Sequence, residues 1–240
     1  MHTATVYAAR MNWLGEPELA ALRLSLDVAG RAVLLNLLPA IAIAWLLTRR
    51  RFAGRTLLDA MVHLPLVLPP VMVGYLLLLL LGVHGPVGRW LDQLFGLRLV
   101  FTTGGAAVAT AIMSFPLMVR AIRLSLEGID NGLEQAARTL GAGPIDRFVS
   151  ITLPLMLPGV LAGAITAFAA GLGEFGAVVT FVSNIPGETR TLPLALYAAL
   201  QSPDGDALAA KLALLSFGLG LSGLLAGEVL ARSLRRWLGR

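Results

Sequence analysis

The chain has no cysteine in its 240 residues, which removes thiolate metal ligands, disulfides and redox pairs, and with them any clue to compartment from that residue type. Lysine is almost as scarce. The only one, Lys211, lies in AALAAKLALL with no glycine ahead of it. A phosphate-cradling loop ends in Gly-Lys-[Ser/Thr], so ATP is not bound here in that manner. The three histidines, His2, His63 and His84, are scattered, and neither HExxH nor GxSxG occurs, which excludes a zinc protease and a nucleophile elbow. No metal site and no cofactor of this chain's own are expected, and His63 reads as a packed interfacial residue. Charge is scarce as well: 14% of residues, against about 25% in soluble domains. The N-terminal stretch lacks a basic region followed by an apolar run and a small-residue cleavage site, so the first apolar segment is expected to act as its own insertion signal.

What the chain does have is hydrocarbon. Hydrophobic residues make up 57% and the mean hydropathy is +0.78, which implies an all-α integral membrane protein with residues 1–240 as one domain. Net charge is +5, but the basic residues sit at the ends of apolar segments and not on an aromatic-interleaved surface. They signal topology, and no nucleic-acid partner is expected. A bilayer core of about 30 Å needs about 20 apolar residues in a helix. By that measure spans are expected at residues 19–47, 57–81, 105–119, 153–172 and 207–230.

Arginine gives the orientation. RRRFAGR at residues 49–55 and Arg232, Arg235, Arg236 and Arg240 after the last span belong in the cytoplasm by the positive-inside rule. The N-terminus and residues 82–104 then lie outside, and residues 120–152 and the C-terminus inside. In the first span Arg23, Asp27 and Arg31 recur on one helical face, a pattern that inside hydrocarbon marks an ion pathway. Counting back from Arg49, Arg31 lies about 27 Å away, at the outer boundary of the core. Arg23 and Asp27 are therefore expected to project beyond it as a pair. Glu228 with Arg232 has the same reading at the inner end. Prolines within the spans at 39, 65, 69, 70, 116, 154 and 158 free backbone carbonyls that only protein or a cavity can cover. Gly159 with Gly163 and Gly223 with Gly227 permit close helix contact.

The polar segment between the third and fourth spans, about residues 127–152, is the strongest signal. Asn131 as a cap and Glu134 three residues on predict a short helix, ended by Gly141 and Gly143, with Pro144 starting another. Ala136 and Ala137 leave little side chain, so a second surface can approach closely. Fixed between two spans, such a helix suits a partner's groove.

Ala136-Ala137, Gly141, Ile151, Leu153 and Pro154 fall at the spacing of the EAA loop of ABC importer permeases, of the methionine-importer (MetI-like) type. LPLVLPPVMVGYLLLL, MSFPLMVRAIRLSLEG and LGEFGAVVTFVSNIPGETRTLP extend the resemblance over nearly the whole chain, and the set is similar to the permease subunits of molybdate ABC importers. Sulfate/thiosulfate permeases share the loop and a Gly-Glu-aromatic-Gly stretch, and the same machine for sulfate or tungstate stands as the alternative. A membrane enzyme or channel is a distant third. The resemblance departs at Gln135, where the family carries glutamate, and that implies an altered charged contact.

The family implies a bacterial inner-membrane subunit that pairs with a second copy of itself and with two ATPase subunits, which bind the ATP and Mg. A periplasmic oxyanion-binding protein delivers substrate. Glu134, Gln135, Ala136, Ala137, Arg138, Leu140, Gly141 and Gly143 are expected to dock the ATPase. Glu174, beside an expected helix break at residues 171–176, is expected as a structural partner or gate, with Thr180, Ser183 and Asn184 along the pathway. Asn184, Glu188 and Arg190 are expected to meet the delivery protein.

Overall fold

The computed structural model describes residues 15–237, excluding the side chains of residues 131, 228 and 230–237. The expected Glu228–Arg232 pair and the C-terminal arginines 232, 235, 236 and 240 thus lie outside the described side chains. All regular structure among the described residues is helical. In chain order it comprises α1 (Glu16–Arg49), α2 (Arg55–Val67), α3 (Pro70–Leu81), α4 (Pro86–Phe95), α5 (Thr103–Glu127) and α6 (Asn131–Thr139). After α7 (Pro144–Arg147) a π-helical turn, Phe148–Thr152, leads into α8 (Leu153–Leu172). The chain ends with α9 (Gly176–Val182), α10 (Leu192–Leu200) and α11 (Asp206–Trp237).

Each long helix forms on an apolar run, and α1 and α5 have side chains that suit their ends. Glu16 and Glu18 lie in the first turn of α1 and Arg49 in its last, opposite to the partial charges of the two ends. Thr102 caps α5 by accepting the Gly105 N–H at 3.1 Å. Four segments are long and apolar enough to cross a membrane: Glu16–Arg49, Thr103–Glu127, Pro144–Leu172 and Asp206–Gly227.

The expected second span, residues 57–81, is not one straight helix. It is the pair α2 and α3, bent by 115°, and only as a pair does it make a fifth crossing. Leu68 (φ −75°, ψ 143°) and Pro69 (φ −55°, ψ 133°) leave the helical region. Proline pushes its predecessor toward extended backbone, and two successive prolines offer no N–H to carry the helix on. α1, α5 and α8, by contrast, run on through Pro39, Pro116 and Pro158. α5 also outlasts its expected end at residue 119, reaching Glu127.

α5 is the central post, packed along α1 and α8. Its contact with α8 depends on the expected glycine pair. A Cβ on Gly159 would meet Ser125 Cβ at 2.3 Å, and one on Gly163 would meet the Met118 carbonyl at 3.0 Å. Of the second expected pair only Gly227 is a contact point, against Ile165 Cγ2 at 2.2 Å, whereas Gly223 faces open space. Three apolar clusters result. The inner one joins Ala40 and Ala44 of α1 to Met118 and Ile122 of α5 and Met156 of α8. The outer one joins Val73 and Leu77 of α3 to Val178 and Phe181 of α9. A third, near the start of α1, holds Leu192 and Leu212. Outside them Leu34, Leu38 and Phe217, between 71% and 75% exposed, form a belt that water would penalise and lipid does not.

Asn36 of α1 is buried against α5, beside the buried Thr110 and Ser114. The Asn36 amide donates to the Ala111 carbonyl at 2.8 Å and to Ser114 Oγ at 3.2 Å. Asn36→Ala should lower the unfolding midpoint in detergent by the equivalent of about 0.6–2 kcal/mol, the range of interhelical hydrogen bonds in membranes. An unchanged midpoint would show that the bond contributes nothing.

At the start of α1 the charge ladder pairs differently from expectation. Asp27 accepts from Arg31 Nε at 2.9 Å, and Arg23 reaches no carboxylate among the described residues. Both residues of the pair remain roughly half exposed, so they form an exposed surface pair and not a buried wire.

Candidate functional site

α6 stands on the polar end of the α5–α8 pair. Its cap is Asp130, not Asn131: the Asp130 carboxylate accepts the Gly132 N–H at 2.8 Å, an Asx geometry that sets the helix start one residue early. The helix closes where Ala142 N–H meets the Ala137 carbonyl at 3.0 Å and Gly141 turns to φ +87°, the left-handed terminus that glycine favours. Gly143 leads into Pro144 at the start of α7.

Gln135, Ala136 and Arg138 face outward and Ala137 is half-buried. At the tip Leu140 is 88% and Ile145 79% exposed. With Leu133, 47% exposed, they put large apolar side chains on the surface of a largely polar segment.

Glu134 turns the other way, into its own protein. Its Oε1 lies 3.1 Å from an Arg49 guanidinium nitrogen and accepts from Thr152 Oγ1 at 3.0 Å. One carboxylate thereby ties α6 to the last turn of α1 and to the π-turn that opens α8. Sequence reading put Glu134 among the docking residues and Arg49 among topology anchors. Nothing local in the sequence could join them, because the contact spans two intervening membrane passes.

The other sequence-selected residues gather at the opposite end, around α9. α8 ends at Leu172 and α9 begins at Gly176, so the break falls where Gly171-Leu-Gly-Glu-Phe-Gly places it. Glu174 Oε1 accepts the Ala177 N–H at 2.9 Å and fixes the first turn of α9. That helix packs so closely on α3 that a Cβ on Gly74 would meet the Ala177 carbonyl at 2.6 Å, and one on Gly176 would meet Pro70 Cβ at 2.8 Å. Thr180 donates its hydroxyl to the Gly176 carbonyl at 2.8 Å. Ser183, with φ +66°, is exposed.

The following turn, residues 183–191, is held from within. Asn184 donates to the Leu194 carbonyl at 3.3 Å and accepts from Arg190 Nε at 2.8 Å. Fully buried Thr189 bridges Ser183 O and Ile185 N. Glu188 stays exposed, while its carbonyl accepts from Thr103 Oγ1 at 2.7 Å. The Asn184 side chain is thus held at both its oxygen and its nitrogen, by Arg190 Nε and by the Leu194 carbonyl.

A charged group that motif reading did not assemble lines a cavity of about 390 Å³ between α2 and α5. Arg123 pairs with Asp59 at 2.6 Å, and His63 Nδ1 lies 3.2 Å from the same carboxylate and 2.9 Å from the Asp59 carbonyl. His63 therefore lies against the Asp59–Arg123 ion pair and is not simply packed. The spacing of Arg120, Arg123 and Glu127 on one face of α5 was the available signal.

The four long apolar helices and the bent α2–α3 pair define a membrane-embedded helical protein. Residues 39–236 match the family described as the binding-protein-dependent transport system inner membrane component, and the chain belongs to that family. It is an inner-membrane transport subunit, not an enzyme. Among its relatives, the molybdenum transport system permease protein ModB of Escherichia coli (strain K12) is 56% identical over 227 residues, covering 95% of this chain and 99% of the relative. The sulfate transport system permease protein CysT of the same organism is 38% identical over 209 residues, 84% of this chain and 75% of that one. The fold recurs in the crystal structure of a bacterial alginate ABC transporter in complex with an alginate pentasaccharide-bound periplasmic protein, with a TM-score of 0.72 at 19% identity, over 92% of this chain and 80% of that one.

Proposed function

We propose that this chain is the permease subunit of an ATP-driven molybdate importer, working as a homodimer with two ATPase subunits that bind the ATP and Mg. A periplasmic oxyanion-binding protein delivers the substrate, and the N-terminus lies outside with the C-terminus in the cytoplasm. The single observation that carries the reading is the α6 knob, exposed at Leu140 and Ile145 and fixed to α1 and α8 through Glu134. Closure of the ATPase dimer would press on Gln135, Ala136, Ala137, Arg138, Leu140, Gly141 and Gly143. Through Glu134 that displacement reaches two spans at once, and the spans alternate between inward-open and outward-open states.

Five crossings enclose little, so the route lies at the interface of the two copies. Of Thr180, Ser183 and Asn184, Thr180 commits its one hydroxyl hydrogen to the Gly176 carbonyl, whereas the Ser183 hydroxyl and the second amide hydrogen of Asn184 are the donors left for a passing oxyanion. Glu174 holds α9 in place as a gate element. The outer turn, with Glu188 at its tip and Asn184 and Arg190 locked together behind it, is the surface offered to the delivery protein.

Molybdate over sulfate is supported by the nearly complete coverage of the molybdenum relative at 56% identity against 38% for the sulfate relative. The test is uptake of labelled molybdate by cells expressing the intact transporter, with sulfate in about hundredfold excess. Retained uptake supports molybdate, and suppression to background assigns sulfate. Enrichment of an ATPase subunit with the purified chain checks the coupling part of the reading separately.

A further inference from the structure

Beside the α6 knob lies a cavity of about 440 Å³ whose lining includes four arginines, Arg49, Arg50, Arg138 and Arg147, and one acid, Glu134. The acid is already engaged by Arg49 and Thr152. Arg50, Arg138 and Arg147 reach no carboxylate within 4.0 Å among the described residues. Arg50 instead lies over the Trp45 ring, 5.4 Å from its centroid, and Arg147 Nε donates to the Gly143 carbonyl at 3.4 Å. Three such guanidinium groups around one cavity repel one another unless an anion sits among them.

A second cavity, about 300 Å³ and apolar, is lined by Leu38, Ile41, Ala42, Trp45 and Phe148. Trp45 and Phe148 are common to both, so the cationic pocket opens onto the groove. From Leu38 to Arg49 the helix rises about 16 Å, roughly half of a 30 Å hydrocarbon core. The groove therefore spans one leaflet, and Trp45 sits at the depth where amphipathic rings collect. A free oxyanion would use the cationic pocket and leave the groove without purpose. An amphiphile with a phosphate head and a hydrocarbon tail uses both.

We infer that this double site binds one anionic phospholipid of the leaflet on the α6 side, with its phosphate between Arg50 and Arg147 and an acyl chain along Leu38, Ile41 and Ala42. The bound lipid bridges α1 and α6 beside the Glu134–Arg49 contact, so it stiffens the mount of the knob. Only the identity of the leaflet rests on the proposed orientation; the binding itself does not depend on substrate or ATPase.

The test uses the full chain, with its partners where they co-purify, in nanodiscs of phosphatidylcholine containing a small fraction of phosphatidylglycerol. The acyl chains of one lipid or the other are brominated to quench tryptophan. Trp45→Phe identifies the Trp45 signal. Brominated phosphatidylglycerol should quench that signal at several-fold lower mole fraction than brominated phosphatidylcholine. Arg50→Gln and Arg147→Gln should each weaken the preference about fivefold, which corresponds to about 1 kcal/mol per basic residue near an anionic surface. Ala42→Phe, on the exposed face of α1, should fill the groove and abolish quenching while leaving both arginines in place. Equal quenching by the two lipids overturns the inference. So does a preference untouched by these variants, or displacement of the lipid by millimolar inorganic phosphate with the groove variant unaffected, which would assign a free anion. Molybdate uptake can succeed or fail independently of each of these readings.

Discussion

Gly141→Val is expected to cut substrate uptake by at least tenfold, the equivalent of about 1.4 kcal/mol, while the protein remains in the membrane at its usual level. Two effects combine at this position. The backbone sits at φ +87°, a region that costs an L residue about 1–2 kcal/mol and a β-branched one more. An added Cβ would meet nothing within 4 Å in this chain, so the new side chain projects outward beside the exposed Leu140, where a partner has to approach. Gly141→Asn separates the effects, because asparagine tolerates the left-handed region yet still projects. If asparagine restores uptake and valine does not, strain dominates; if neither does, occlusion dominates. Uptake at the wild-type rate with valine would remove α6 from the coupling path.

Glu134→Ala should lower the uptake obtained per ATP hydrolysed by the purified complex, again by about tenfold, with Glu134→Gln falling between it and the wild type. Alanine removes both the ion pair to Arg49 and the bond from Thr152, whereas glutamine keeps an acceptor for Thr152. The Arg49 and Glu134 side chains are only 14% and 27% exposed, so solvent screens the pair weakly. Losing one partner costs on the order of 1–3 kcal/mol, below the 3–5 of a fully buried pair. The reversed pair, Arg49→Glu with Glu134→Arg, should recover part of the loss. Coupling ratios that do not change in the alanine variant would show that Glu134 has no role in holding α6.

The spans were readable because lipid leaves little choice: a run of about 20 apolar residues must be helical, and its ends are marked by charge. Residues 153–172 came out as α8 with the expected bounds. What sequence hides is where neighbours intervene. Three prolines in LPLVLPP all read as kinks, yet Pro65 lies inside α2 and only the pair Pro69-Pro70 breaks the chain. α4, α9 and α10 are too short for periodicity to register and take their places from what they pack against, as α9 does on Gly74. At the candidate site the knob was legible from its small residues and glycine terminus. Its attachment was not, because Asp130 could displace Asn131 as the cap, and because Arg49 and Asp59 find partners only after distant helices align. Asn184 also bonds within the fold, to the Leu194 carbonyl and to Arg190 Nε, contacts that composition does not carry.

The 115° joint between α2 and α3 has a mechanical corollary. At Leu68 and Pro69 the backbone leaves the helical region, and neither Pro69 nor Pro70 has an N–H to carry the ladder across the joint. α2 must travel with the lower part of α5, to which Asp59 and Arg123 bolt it, while α3 keeps company with α9. α1, α5 and α8 run past their prolines without such a break, so they, and not the α2–α3 pair, join the two ends of the subunit as continuous helices.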